Sequence, residues 1–520
     1  MSVEQQWRPR VSPWLIAVSV MLATFMEILD TSVANVALPH IAGSLSATTD
    51  ESTWVLTSYL VANAIVLPAA GWLSNYFGRS RTLFTCIILF TIASVFSGMA
   101  PTIGFLVVAR AIQGFAGGTL QPIAQAVLLE SFPPADRGVA MAVFGLGVVV
   151  APTVGPTLGG WITDHYSWRW IFYINVPVGI AAAMMTRAHV EDPPYITKQR
   201  GKGTIDYAGF ALLAVALGLL QLVLDKGQED DWFAAQWIRW SCLGAIIAGV
   251  GFFLRECKAE HPLVDLCVWR NRNFSIGVLL IFLTGAVLYS TITLLPLFLQ
   301  TLMGYTALDA GYALSPRGLG AIASMLVIGR ITKKVDNRIL IFFGFVIVAL
   351  SSYWFGQISL TMGMASVVWP NVLNGVGVSF IFVPLTTMAM GTLPVQQIGN
   401  ATGLYNLMRN IGGSVGISIV TTFLARDAQK HQAMMVARAT AYDPVMQQRL
   451  HATATALTPK FGEHDALVRA YQLIYNSVLG QAQLWSFVDN FRWVALITVV
   501  CAFAVLFFRK VKATGVVAAH

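Results

Sequence analysis

The chain has 520 residues, 56% of them hydrophobic and 11% charged, with a formal net charge of +8 and a mean hydropathy of +0.66. Soluble domains carry about 25% charged residues, so this composition excludes a soluble enzyme or binding domain and indicates an integral membrane protein. The excess positive charge does not point to nucleic acid, because Lys and Arg cluster in alternate loops between apolar runs, as membrane topology requires.

A helix needs about 20 apolar residues to cross the hydrocarbon. Fourteen runs qualify, at about 14–38, 52–75, 81–100, 103–128, 138–162, 168–187, 205–224, 236–254, 275–302, 309–330, 339–357, 364–390, 398–424 and 489–508. The first run is too long for a leader's apolar core and lacks a small-residue cleavage site after it, so it is expected to stay as an anchor. With the N-terminus inside, the cytoplasmic segments collect Arg8, Arg10, Arg79, Arg81, Arg137, Arg187, Lys198, Arg200, Lys202, Arg255, Lys258, Arg270, Arg272, Arg330, Lys333, Lys334, Arg338, Arg509, Lys510 and Lys512. That is about 20 of the 33 basic residues, which places both termini in the cytoplasm. The five cysteines have no metal-ligand spacing, so neither a disulfide nor a metal is expected, and no other cofactor is.

Span 1 carries Glu27 and Asp30, one turn apart on one face. Charges at bilayer depth are costly and mark ion or substrate pathways. Such a carboxylate can load and release a proton as access alternates, or stand in a static ion pair. Asn35 on span 1 and Asn63 on span 2 are expected in the same cavity.

Span 2 ends in Gly71-Trp-Leu-Ser-Asn75-Tyr-Phe-Gly78-Arg79-Ser-Arg81. The glycines permit a tight turn and close helix approach. Arg79 and Arg81 suit a conformational latch on helix C-terminal carbonyls or carboxylates, or are ordinary positive-inside charge.

Span 4 carries Arg110, Gln113, Gly117, Gln121 and Gln125, at steps that keep them on one slowly drifting face. At ~1.5 Å per residue, Asp30 lies about 12 Å and Arg110 about 10 Å from the outer ends of their spans. The two are level and able to pair. The glutamines either face a wet cavity or bond neighbouring helices.

Span 5 has Gly155, Pro156, Gly159 and Gly160. This is a small-residue packing face on a helix bent by Pro152 and Pro156, suited either to sliding contact or to static packing. In the second half, Arg317 and Arg409 are intramembrane cations with Asn406 and Asn410 nearby, and Tyr289, Ser290, Trp369, Asn371 and Asn374 add polar and aromatic groups. They fit a pocket for aromatic or amphipathic substrates, or structural hydrogen bonding. The polar segment 425–485 reads as a long outer loop. Its stretch Glu463–Leu484 has helix-like apolar spacing at Leu467, Ala470, Leu473 and Ile474. It is either a surface helix folding back on the bundle or a docking surface for a partner.

The fold class expected is an all-α membrane protein with two six-helix bundles, 1–190 and 261–520, and two inserted helices in 191–260. At these motifs the chain resembles the major facilitator superfamily: Gly71–Arg81 is similar to its loop 2–3 signature, Arg110-Ala-Ile-Gln-Gly114 to its fourth-helix motif and Gly155-Pro-Thr-Leu-Gly159-Gly160 to its antiporter motif. Leu29-Asp30-Thr-Ser-Val-Ala-Asn35-Val-Ala-Leu-Pro39 and Trp168-Arg-Trp-Ile-Phe-Tyr-Ile-Asn175-Val-Pro177 resemble the 14-helix drug:proton antiporter family of the EmrB/QacA type. The resemblance implies a proton-driven exporter of lipophilic or amphipathic compounds in the bacterial inner membrane, working by alternating access. It further implies coupling at Asp30 and Arg110, a periplasmic adaptor and an outer-membrane channel. Asn75 departs from the family, which has Asp there, and so removes one partner for an arginine latch. Glu27 is not general in the family and would bias substrates toward cations. The alternative is a proton-coupled carrier of one metabolite, siderophore or aromatic acid, which Arg317 and Arg409 would favour as carboxylate ligands. No P-loop is present, so ATP drive is not expected, and an enzyme is not expected either.

Overall fold

The computed structural model describes residues 9–133, 136–194, 196, 206–259, 264–332, 334–394, 397–438 and 442–509. Arg8, Lys198, Arg200, Lys202, Lys333, Lys510 and Lys512 lie outside the described residues. Among the described residues the structure is helical, without strands, and fourteen helices are long and apolar enough to cross a membrane. They are α1 Pro13–Ser44, α2 Glu51–Phe77, α3 Arg79–Met99, α4 Ile103–Ser131, α5 Arg137–His165, α6 Trp170–His189, α7 Tyr207–Lys226 and α8 Gln236–Glu256. After them come α9 Arg272–Thr301, α10 Asp309–Ile331, α11 Asn337–Phe355 and α12 Ala365–Met390. The last two are α13 Ile398–Arg438 and α15 Glu463–Ala504. Between these two lies α14, Pro444–Phe461. Each of the fourteen expected apolar runs matches one of these spans, overrunning its ends by a few residues at most.

Local chemistry sets several helix ends. Pro13 opens α1 at a position where its missing N–H is not needed. Thr48 and Glu51 cap the start of α2 reciprocally, with contacts of 3.2 and 2.8 Å. Asp206 caps α7 and accepts two bonds from Arg255 at the end of α8, which hold its carboxyl below the usual range. Two spans are interrupted. Pro68 tightens α2 into a 3-10 turn at Leu67–Ala69, and α4 breaks between Gly117 and Leu120.

Packing in a bilayer depends on small residues that let backbones approach. A Cβ on Gly285 of α9 would lie 2.2 Å from the Arg409 carbonyl of α13, and one on Gly375 of α12 would lie 2.0 Å from the Arg317 carbonyl of α10. Helices α1–α6 pack on one another, as do α9–α13 with α15, and α5 runs against α10 where the two groups meet. Helix α7 touches both groups. Thr57 of α2 donates to Asp225, Gln221 donates to Ser414 of α13 at 2.9 Å, and Trp232 just beyond α7 donates to Thr422 of α13 at 3.0 Å. Helix α8 packs chiefly on α7.

The segment expected as a long outer loop is helical over its described residues apart from short breaks at Tyr442, Asp443 and Gly462. Helix α13 has 41 residues and α15 has 42, so each is about 60 Å long, twice the hydrocarbon thickness. The stretch from Glu463 does not fold back as a separate surface helix; it runs unbroken into the last span. Gly462, at φ +78°, makes the turn that lets α14 return along α15. The two share a small apolar seam in which Leu450, Ala470 and Ile474 are buried, while Leu467 and Leu473 stay exposed. At the base of this projection His431 of α13 meets Asp489 of α15 at 2.8 Å, and Gln432 donates to Tyr475 at 3.0 Å.

Candidate functional site

Asp30 is 2% exposed and is held from three sides. Arg110 of α4 forms an ion pair with its Oδ2. Gln113 of α4 donates to its Oδ1 at 2.9 Å, and Asn175 of α6 donates to the same oxygen at 2.6 Å. Ser94 of α3 completes the cluster by accepting from Asn175 at 2.9 Å and from Gln113 at 3.3 Å. Both carboxylate oxygens are thus satisfied, as a buried charge requires. Arg110 is fully buried. Its guanidinium lies 4.3 Å over the Tyr59 ring, and its Nε donates to the Val55 carbonyl at 3.3 Å.

Glu27, one turn away, is 3% exposed. Its Oε1 accepts from the Tyr59 hydroxyl at 3.0 Å and from Asn63 at 3.3 Å, and its Oε2 accepts from Gln121 at 2.6 Å. Gln121 in turn accepts from Arg409 of α13. A four-residue beyond-turn step along α4 brings Gln125, whose Oε1 accepts from Asn406 of α13 at 2.6 Å. The glutamine stripe therefore meets side chains of α1 and α13 directly.

The remaining polar groups lie apart from this network. Arg317 and Tyr289 border a cavity between α5, α9 and α10. Asn374 is buried beside a second small cavity between α9, α11 and α12. Asn35 and Trp369, expected to line the cavity, stand on exposed faces, Trp369 at 65%. Each lies five residues along its own helix from a buried polar residue, Asp30 and Asn374 respectively, and five residues turn a helix by about 140° from its starting face.

The span 2–3 motif makes a tight joint. Gly78 turns the chain at φ +95°, and Arg79, fully buried, pairs with Glu130 at the end of α4 at 2.6 Å. Arg79 thus has a carboxylate partner even though Asn75 stands at the position of the family's Asp; the Asn75 Oδ1 is buried without a hydrogen-bond partner. Arg81 is exposed. A Cβ on Gly71 would lie 2.7 Å from the Gly399 carbonyl of α13. On α5, a Cβ on Gly155 would lie 2.3 Å from Ser32 Oγ and one on Gly159 3.0 Å from Val33, so these two abut α1. Nothing lies within 4 Å of a Cβ on Gly160, and Pro156 is half-buried.

Tyr59, Ser94 and Asn175 were not singled out as site residues in the sequence. Asn175 stands inside the Trp168–Pro177 motif and had that signal; Tyr59 and Ser94 look like ordinary span residues until the helices are assembled.

Residues 20–417 match the family model of the Major Facilitator Superfamily. The chain is 40% identical over 447 residues to the fatty acid resistance protein FarB of Neisseria gonorrhoeae, covering 85% of this chain and 86% of that one. It is 38% identical over 446 residues to the multidrug export protein EmrB of Escherichia coli K12, with the same coverage of each. It is 29% identical over 513 residues to the colistin resistance protein EmrB of Acinetobacter baumannii, covering 98% of this chain and 99% of that one. In fold it is similar to the crystal structure of the human organic anion transporter MFSD10, with a TM-score of 0.58 at 12% identity, over 94% of this chain and 100% of that one. The family match and the export relatives, taken with fourteen spans, identify a multi-pass membrane transporter, and the chain belongs to the Major Facilitator Superfamily.

Proposed function

We propose that this transporter is a proton-driven exporter of lipophilic or amphipathic compounds, with Asp30 and Arg110 as the coupling pair. The observation that carries this reading is the buried Asp30–Arg110 ion pair, joined through Tyr59 to Glu27 and through Gln121 to Arg409. A proton reaching Asp30 cancels its charge and frees Arg110, Gln113 and Asn175 to repack. Changes at α1 and α4 then pass to α13 through Glu27 and Gln121. Residues 1–190 and 261–520 act as two halves that rock about their contact, with 191–260 as an inserted pair. Gly71 against Gly399 and Gly155 against Ser32 are close contacts in which two packings of rigid helices can exchange.

The protein resides in the bacterial inner membrane with both termini in the cytoplasm, as the basic residues of its alternate loops support. The projection formed by α13, α14 and α15 then faces the periplasm and docks an adaptor protein that leads to an outer-membrane channel. The names of its relatives, which speak of multidrug export, fatty acid resistance and colistin resistance, support small lipophilic cargo. A dedicated carrier of one organic acid is the second reading, favoured by the buried Arg317.

The deciding experiment is substrate-induced proton movement in proteoliposomes with an interior pH dye, wild type beside Asp30→Asn. Flux that needs both an amphipathic compound and Asp30 is the expected result. Undiminished uphill transport by Asp30→Asn sinks the coupling assignment.

A further inference from the structure

Three buried arginines stand among the spans α4, α10 and α13; one pairs with a carboxylate directly and one is linked to a carboxylate through a glutamine. Arg110 has Asp30, and Arg409 reaches Glu27 through Gln121. Arg317 on α10 is 4% exposed; its Nη1 meets Thr291 Oγ1 at 3.5 Å, and its Nη2 has no hydrogen-bond partner. Among the described residues no carboxylate pairs with it. A guanidinium buried at bilayer depth without a counter-ion is costly, and such groups face a cavity or a partner.

Arg317 does face one. It borders a cavity of about 30 Å³ where α5 meets α9 and α10, whose apolar lining includes Val148, Val149, Leu288, Ile292 and Leu314. One charged donor in a mostly apolar wall, with the Thr153 and Tyr289 side chains as its other polar members, matches a ligand with one anionic end and an apolar body. A planar carboxylate is the anion whose two oxygens fit the guanidinium fork. The cavity as it stands holds about two waters, so an organic ligand enters only when α5 and α10 part. Those helices touch beside it, where a Cβ on Gly318 would lie 3.1 Å from Thr153.

We propose that Arg317 anchors the substrate site of this exporter, taking the carboxylate of a lipophilic monoanion whose body lies against the Val148–Leu288–Leu314 wall. This rests on the export reading and adds the substrate class to it. The site is separate from Asp30, so cargo charge and proton occupy different residues.

The test is equilibrium binding of 4-butylbenzoate and its neutral analogue 4-butylbenzamide to the full-length protein in nanodiscs, which requires no transport. Wild type is expected to prefer the carboxylate, and Arg317→Gln to lower that preference by about 10-fold or more, as loss of a charge-assisted pair does. Arg317→Lys keeps the charge without the fork and falls between the two. If Arg317→Gln does not fold, Leu314→Glu supplies a carboxylate one turn away in the same cavity and is expected to remove the preference with Arg317 still present. An unchanged preference in Arg317→Gln or Leu314→Glu overturns the inference, as does a wild type that binds both compounds alike. Nanodiscs of phosphatidylcholine and of phosphatidylglycerol are expected to give the same preference; its loss in phosphatidylglycerol assigns the site to lipid headgroups and overturns the substrate role. Failure of proton flux with selective binding intact counts against the coupling reading alone.

Discussion

Glu27 and Asp30 lie one turn apart on α1 and both take partners from α4, yet only the network of Glu27 extends to α13. Asp30 is held by Arg110, Gln113 and Asn175, all on α4 and α6. Glu27 leads through Gln121 to Arg409 on α13. Tyr59 stands between them, its ring under Arg110 and its hydroxyl on Glu27. Tyr59 is thus one side chain in contact with both networks.

Removing one member of the Asp30–Arg110 pair leaves the other charge buried. Asp30→Asn and Arg110→Gln are each expected to lower stability by about 3 kcal/mol. The double variant should lose much less than the sum of the two. Thermal or denaturant unfolding in detergent gives the cycle, and strictly additive losses would show that the two charges do not depend on each other.

Tyr59 has two separable contacts. Tyr59→Phe keeps the ring under Arg110 and removes the donor to Glu27, with an expected loss of about 1–2 kcal/mol. Tyr59→Ala removes both and leaves a void, with about 3–5 kcal/mol lost. Equal losses in the two variants would mean the hydroxyl carries the whole contribution and the ring none.

Glycines of the α5 motif should differ sharply. Gly155→Ala forces a methyl group onto Ser32 and is expected to cost about 1–3 kcal/mol. Gly160→Ala meets open space and should be neutral or stabilising by up to about 1 kcal/mol, from helix propensity. Unfolding midpoints of the two variants, measured side by side, decide this. Similar losses at both positions would show that the contact with α1 is not what Gly155 provides.

Much of this was legible before the structure. Fourteen apolar runs declare themselves by length alone, and the level placement of Asp30 and Arg110 follows from helix rise. Rotational phase was harder. Asn35 and Trp369 are exposed while Asp30 and Asn374, five residues away on the same helices, are buried, and an almost wholly apolar helix has little periodicity from which to read which face a residue takes. The projection was misread for a different reason: outside the bilayer a helix can be polar on most sides, and the α14–α15 seam needs only Leu450, Ala470, Ile474 and a few neighbours. Asn175 and Ser94 became visible as ligands of the Asp30 cluster only when α3 and α6 were brought beside α1.

The projection can be tested apart from transport. Replacing residues 436–476 with a flexible linker retains His431 and Asp489, which join the helices at its base. Whole-cell resistance is expected to fall strongly while transport by reconstituted protein stays near wild type. Equal loss in both assays would assign the projection a structural role.

Helix α13 carries Arg409 near one end and runs without a proline to Arg438. Those residues are about 44 Å apart along the axis. A stiff rod of that length works as a pointer: a 10° tilt at Arg409 swings its far end by roughly 8 Å. A tilt set by repacking around Glu27 would be enlarged at the tip, so anything gripping the projection would sense the state of the buried carboxylates mechanically, without ever touching them.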